Sequence, residues 1–223
     1  MEVTVYSCEY CGKSFKKSQT ILTHKCEKRD RHDSKNETYS RIAFHAFNSM
    51  YPKQKSFNEF ASSAYYKAFT KFGKYCIEVK VISPEEYSLW LIKNKKRIDD
   101  WTRDSLYSEY LIDFLPREDV GQALTRAITN SIKWSEKINA PSKDWLRYGN
   151  LNTISYSIVT GRLSGWALYN SNSGQDLLER MSGTPALLKE CWPYIDSDIW
   201  KNTFQHKKTD TSYAWDILGK AGW

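Results

Sequence analysis

The 223-residue sequence lacks any run of about 18 apolar residues, and its first residues lack the basic-then-apolar order of a signal peptide. It also lacks a glycine-rich phosphate loop, a G-x-S-x-G elbow, an H-E-x-x-H helix and any repeat with a period of 20 to 50 residues. We therefore expect a cytoplasmic protein with no membrane partner and no enzymatic activity.

The composition is otherwise that of a globular protein, with 40% hydrophobic and 26% charged residues. The net charge of +7 favours a polyanionic partner. The five cysteines are unevenly placed: Cys8, Cys11 and Cys26 lie close together, whereas Cys76 and Cys191 stand alone. An odd number distributed in this way is typical of a metal site in a reducing compartment, not of a disulfide framework.

The first cysteines belong to one spaced motif. Cys8 and Cys11 form a C-x2-C knuckle, and His24 follows after a gap of twelve residues. Phe15 and Ile21 lie between them at positions that would form a small apolar core. The spacing predicts a short hairpin with two thiolates and then a helix of about two turns, held together by zinc because so few residues cannot fold without it.

These residues resemble the C2H2 zinc-finger family, in the variant with cysteine as the fourth ligand, over about 25 of the 223 residues. The resemblance implies zinc bound by Cys8, Cys11, His24 and Cys26. The family spaces its last two ligands by three to five residues, whereas Cys26 follows His24 by two. Either the helix ends at His24 and Cys26 curls back, or His32 completes the site. We favour Cys26, because a thiolate is a strong zinc ligand and the chain holds it close.

The resemblance further implies that helix residues before the histidine face nucleic-acid bases. Lysine and glutamine can bind purine edges, and threonine offers a hydroxyl or a methyl group. Residues 1–36 carry a net charge of +3, from eight basic and five acidic residues, so phosphate contacts are expected as well. The candidate nucleic-acid-binding residues are Lys13, Lys16, Lys17, Gln19, Thr20, Thr23, Lys25, Lys28 and Arg29.

The remainder of the chain has mainly helical spacing. We predict a mainly α fold: a small ββα zinc finger and basic tail (1–35), an aromatic-rich helical bundle (36–140) and a C-terminal module of short helices (141–223). Residues 153–160 are rich in β-branched and hydroxyl-bearing side chains, and residues 164–174 indicate a strand or extended segment that leads into a turn, so a little strand is expected there. Trp223 is either in the core or offered to a partner.

One further pattern suggests a minor alternative, a metal-dependent nuclease. Glu78-Val-Lys80 matches the E-x-K half of such a site, and residues 76–82 are short enough to be a strand or part of a helical region. That site needs an acid shortly upstream. No aspartate lies between Asp33 and Asp99, so Glu59 is the nearby upstream acid, inside an expected helix.

The sequence therefore predicts a zinc-finger nucleic-acid-binding accessory factor in transcription or DNA replication. Its body would dock a second copy of the chain or a protein partner, such as a polymerase, replication or virion component. His24-Lys-Cys26 followed by Glu-Lys-Arg resembles uncharacterised zinc-finger proteins of large tailed phages, which implies expression in the host cytoplasm. The alternative is a structural or adaptor protein in which the finger only stabilises the chain or binds protein.

Overall fold

The computed structural model describes residues 5–223, and the predicted mainly α fold with a small hairpin is confirmed. Two strands, β1 (Tyr6–Ser7) and β2 (Ser14–Phe15), form an antiparallel hairpin. The helices of the first half are α1 (Ser18–Leu22), α2 (Glu27–Asp33), α3 (Thr38–Asn48), α4 (Phe57–Ser62), α5 (Tyr66–Val79), α6 (Pro84–Lys93) and α7 (Asp104–Phe114). Those of the second half are α8 (Val120–Ile138), α9 (Trp145–Tyr148), α10 (Leu151–Val159), α11 (Gly165–Tyr169), α12 (Asn172–Ser182), α13 (Pro185–Ile195), α14 (Ser197–His206) and α15 (Lys208–Lys220).

The chain divides into two compact units, Met1–Leu106, of which residues 5–106 are described, and Tyr107–Trp223. The predicted division into 1–35, 36–140 and 141–223 stays a prediction, and the first four residues of its first part lie outside the described chain. No helix within residues 5–223 is both long enough and apolar enough to span a membrane.

The first unit is built on a close contact between α3 and α5. A Cβ placed on Gly73 would lie 2.1 Å from the backbone oxygen of Tyr39, so only glycine allows the two backbones to approach this closely. Around this contact the aromatic residues pack edge to face, with the Phe69 and Phe72 ring centroids 5.6 and 5.2 Å from that of Trp101. The aromatic residues around α3 and α5 therefore form a core, as the helical spacing of this aromatic-rich region predicts.

Helix starts in both units follow the capping signals in the sequence. The Ser56 hydroxyl accepts the backbone N–H of Glu59, and the Glu59 carboxylate accepts the backbone N–H of Ser56 at 2.7 Å, so the two residues form a capping box at the start of α4. Asp119 caps α8 through the backbone N–H of Gln122. Pro84 is the first residue of α6.

The second unit packs its helices around tryptophans. The Trp166 and Trp200 rings meet edge to face at 5.9 Å, and a Cβ on Gly165 would lie 2.2 Å from the Trp200 ring. Trp223 is only 5% exposed, with its ring centroid 6.4 Å from that of Trp145. The terminal tryptophan therefore belongs to the core of this unit.

A buried ion pair joins α8 to the residues that precede it. The Glu118 side chain has no exposed surface, and both of its carboxylate oxygens accept from Arg126 Nη2, at 2.9 and 2.6 Å. Arg126 Nε donates to the backbone oxygen of Gly161 at 2.8 Å. Burial raises the pKa of Glu118, and the Arg126 charge opposes that rise.

The strand predictions in the second half are wrong. Residues 153–159 lie in α10, where Ile154 and Ile158 are buried one turn apart, and Thr160 is the C-cap of that helix. Residues 165–169 form α11. Ser157 satisfies its hydroxyl inside the helix by donating to the backbone oxygen of Thr153. Tertiary burial of a helical face outweighs the β propensity of branched residues here.

Candidate metal centre

The hairpin brings the first two cysteines together. Tyr6 pairs with Phe15 and Ser7 with Ser14, and the chain then closes through a turn. The backbone N–H of Gly12 donates to the oxygen of Cys8 at 2.8 Å, and that of Cys8 donates to the oxygen of Lys13 at 2.9 Å. Gly12 has a φ of +72°, a conformation that glycine adopts without steric cost.

The other two donors lie on either side of a break between helices. Helix α1 is five residues long, about one and a half turns, so the prediction of two turns is slightly too long. Cys26 is the N-cap of α2, and its sulfur accepts the backbone N–H of Arg29 at 3.4 Å. Because the chain leaves the first helix before His24, Cys26 returns to the same side as His24 despite the short spacing.

The four donor atoms form a compact cluster. Cys8 Sγ lies 3.7 Å from Cys26 Sγ, Cys11 Sγ lies 3.2 Å from His24 Nε2, and all four atoms lie within 4.8 Å of one another. Tetrahedral zinc with Zn–S bonds of about 2.3 Å separates two sulfurs by about 3.8 Å, and a sulfur from a nitrogen by about 3.5 Å. The residues therefore fit a zinc ion, and the arrangement fits a zinc finger.

The cysteines are reduced and sheltered from solvent. All five cysteines of the chain are free thiols, and Cys8 and Cys26 are buried. The backbone N–H of Cys11 stabilises the thiolate of Cys8 and so lowers its pKa. The backbone N–H of Lys13 acts in the same direction on Cys11, but burial and the adjacent thiols outweigh it and raise that pKa. Zinc would replace both protons, since it binds thiolates.

His32 does not join the cluster. Its ring lies 5.3 Å from the ring of Tyr10, and its Nδ1 is 3.9 Å from an Asp33 carboxylate oxygen. The Phe15 and His24 ring centroids lie 5.0 Å apart, in the small core that the spacing predicts. Of the two alternatives for the fourth donor, the geometry therefore favours Cys26.

Most of the predicted nucleic-acid-binding residues surround this cluster and are exposed. The exposed ones are Lys13, Lys16, Lys17, Gln19, Thr20, Thr23, Lys25 and Lys28. Within residues 5–223, no carboxylate lies within 4.0 Å of the terminal nitrogen of any of these five lysines. Arg29 differs: it is half-buried, and its Nη2 donates to the backbone oxygen of His24 at 3.2 Å. Arg29 thus supports the turn that carries the histidine.

Helix α2 is anchored to the helical body by Arg31, a contact that the sequence did not predict. Arg31 Nη1 donates to the backbone oxygen of Ala61 at 2.8 Å, and the guanidinium lies 4.6 Å from the centroid of the Tyr66 ring. The Ser34 hydroxyl also lies 3.1 Å from that of Tyr66, and Lys67 pairs with Glu27 at 3.3 Å. Contacts across about thirty residues leave no local signal in a sequence.

The residues of the nuclease hypothesis are not arranged as that hypothesis requires. Glu78 lies in the last turn of α5, and Lys80 is its C-cap with a φ of 58°, so neither is on a strand. Glu59 is engaged in the capping box of α4. Across residues 5–223, the four finger donors are the one group of three or more His, Cys, Asp or Glu side chains placed to hold a metal ion.

The identification of this site rests on the spacing of the donors in the sequence and on their geometry. No protein-family model matches the chain, and comparisons with curated proteins and with solved structures also found no match.

Proposed function

We propose that the chain is a zinc-finger protein that binds nucleic acid through its N-terminal residues, as an accessory factor in transcription or DNA replication. The observation that supports this proposal is the set of five exposed lysines around the donor cluster, none of them paired with a described carboxylate. When unpaired lysines contact phosphates, they displace the counterions that are condensed on the nucleic acid, and the release of these ions drives binding.

The residues that would meet bases lie at the start of α1. Lys17 is its N-cap, and Gln19 and Thr20 are exposed on its first turn. Lysine and glutamine can hydrogen-bond to guanine and adenine edges in a major groove. The Thr23 hydroxyl donates to the backbone oxygen of Gln19 at 3.1 Å, which leaves its methyl group for apolar contact.

A helix of five residues presents few side chains to a groove, and one finger covers about three base pairs. Selective binding would therefore need a further surface or a partner. We propose that the helical body supplies the additional selectivity by docking a polymerase, replication or virion component.

A second candidate function is that of an adaptor in which zinc only stabilises the chain. The observation that favours it is the anchoring of α2, through Arg31 and the Ala61 backbone oxygen, onto the helical body. A finger attached in this way packs on the rest of the first unit, which suits a component of a larger assembly.

Replacing Lys17 and Gln19 together by alanine should separate the two functions. Under the nucleic-acid proposal, affinity for a mixed-sequence DNA duplex should fall severalfold, because both base contacts are lost. The slope of log K against log salt should become shallower by at most about 0.9, because one cation, Lys17, no longer displaces counterions. Fluorescence anisotropy between 50 and 200 mM salt measures both quantities in the zinc-loaded full chain.

The matched control is Lys137→Ala on α8, an exposed lysine outside the finger, which should leave the slope unchanged. Zinc content should stay the same in both variants, since none of the three replaced residues is a donor. Weak binding by the wild-type chain at every salt concentration would favour the adaptor, and unchanged binding by the double variant would remove α1 from the interface.

A further inference from the structure

One cavity in the first unit is lined by aromatic side chains. Its volume is about 420 Å³, and Phe69 and Trp101, each 1% exposed, form its floor. Trp101 donates its indole N–H to the backbone oxygen of Lys96 at 3.1 Å, so its ring offers an apolar surface. Tyr51 and Tyr65 line the cavity with 36% and 54% of their surfaces exposed. Cavities of about 300–1,000 Å³ with such walls hold small organic ligands.

The basic run after α6 supplies two cations to the same cavity, Lys96 and Arg97. Lys95 adopts a left-handed conformation with a φ of 53°, and the backbone N–H of Lys96 returns to the oxygen of Leu91 at 3.0 Å. This turn ends the helix and brings the next two residues to the cavity. Non-glycine residues seldom adopt that conformation, because the Cβ crowds the backbone.

The charged side chains that line this cavity, Lys96 and Arg97, are both cationic. Among residues 5–223, no carboxylate lines it, and the guanidinium of Arg97 has no hydrogen-bond or ion-pair partner. A larger groove of about 790 Å³ between α2 and α5 also contains lysines, but Glu27, Asp30 and Glu78 face them there. The smaller cavity therefore combines a stacking surface with the unpaired charge of Arg97, and the larger groove does not.

We propose that this cavity binds one nucleotide unit, with the base against Tyr51 and Tyr65 and the phosphate on Arg97. A planar apolar ring joined to an anion is the ligand chemistry that matches such walls. A base in a duplex is stacked on both faces and cannot enter, so the occupant is an unpaired nucleotide of a single strand or a free mononucleotide. The version of the proposal with a single strand as the occupant rests on the proposed function, because the cavity would then be a second contact for the nucleic acid that the finger binds.

The test uses Tyr65→Leu and Arg97→Ala in the zinc-loaded full chain. The probes are a labelled 12-nucleotide single strand of mixed sequence and a fluorescent AMP analogue. Loss of stacking in Tyr65→Leu should weaken binding about tenfold. Loss of one phosphate contact in Arg97→Ala should weaken binding severalfold and make the salt slope for the strand shallower by about 0.7.

Two controls match the chemistry of these changes at sites in the second unit. Tyr148→Leu removes an exposed tyrosine, and Lys133→Ala removes an exposed lysine on α8. Both should bind as the wild type does. The Tyr65 hydroxyl has no described hydrogen bond and Arg97 has no described ion pair, so all four variants should keep the thermal midpoint of the wild type.

The outcomes separate the cavity from the finger. Strand binding weakened by both cavity variants supports the proposal, and AMP binding weakened by them supports it with a free nucleotide as the source, even if no strand binds. Strand binding that is weakened by Lys17→Ala with Gln19→Ala but not by Tyr65→Leu or Arg97→Ala would overturn the cavity alone. Failure of both probes to bind would overturn the cavity, whereas the proposed function is decided separately by the binding of the DNA duplex.

Discussion

Cys26→Ala is expected to abolish stoichiometric zinc binding and to unfold residues 5–26, whereas His32→Asn should change neither. The finger contains two strands of two residues and a five-residue helix with no buried residue, so little besides the metal can hold it together. Zinc in finger peptides contributes roughly 10–16 kcal/mol of apparent binding free energy near neutral pH, which becomes folding free energy. Zinc per chain by elemental analysis and amide dispersion by NMR measure the two effects.

The comparison between Cys26 and His32 makes this prediction specific. Both residues lie close to the motif in sequence, but only Cys26 lies within 4.8 Å of the other donors. Retention of zinc by Cys26→Ala together with its loss from His32→Asn would show that the fourth donor is wrongly assigned. Unchanged amide dispersion in the metal-free chain would show that the finger folds without zinc.

Arg126→Ala should lower the free energy of unfolding by about 3–5 kcal/mol near neutral pH, because it leaves the buried Glu118 carboxylate without its partner. Arg117→Ala is the matched control, since Arg117 pairs with Asp113 on the surface and such pairs contribute about 0–1 kcal/mol. Urea unfolding of the three chains measures the difference.

The pH dependence has a definite sign. Burial already raises the pKa of Glu118 above its unfolded value, and removing the opposing Arg126 charge should raise it further. A carboxyl group whose pKa is higher in the folded than in the unfolded state stabilises the folded state when it is protonated. Its contribution to the free energy of unfolding is therefore full below the unfolded pKa of about 4.3 and is lost as the pH rises through the folded pKa. Arg126→Ala should therefore be less destabilised, relative to wild type, at pH 5 than at pH 7.5. An equal loss at both values would contradict this explanation.

The local features of the finger could be predicted because they depend on neighbours in sequence. The C-x2-C knuckle and the Phe15 contact with His24 each involve residues that are close along the chain. An early end of the finger helix, with Cys26 curling back, was one of the two predicted alternatives, but the role of Cys26 as the cap of the next helix was not predicted.

Nonlocal packing explains the remaining differences. Residues 153–159, which include four β-branched residues, form a helix because Ile154 and Ile158 are buried against other helices. Intrinsic β propensity carries no information about such burial. Similarly, nothing near Arg31 in sequence indicates that it binds the backbone of Ala61. The candidate nucleotide cavity likewise joins residues 51, 65, 97 and 101, which only the fold brings together.

Cys26 is at once a candidate zinc donor and the residue that begins α2, so the finger shares a residue with the next helix and has no clean boundary with it. Cutting the chain after Cys26 would leave α2 uncapped, and cutting after residue 35 would strip Arg31 and Ser34 from the helical body and uncover Tyr66. This finger is therefore unsuited to transplantation as an interchangeable cassette. A graft into another protein would have to carry α2 together with a surface that replaces α4 and the start of α5.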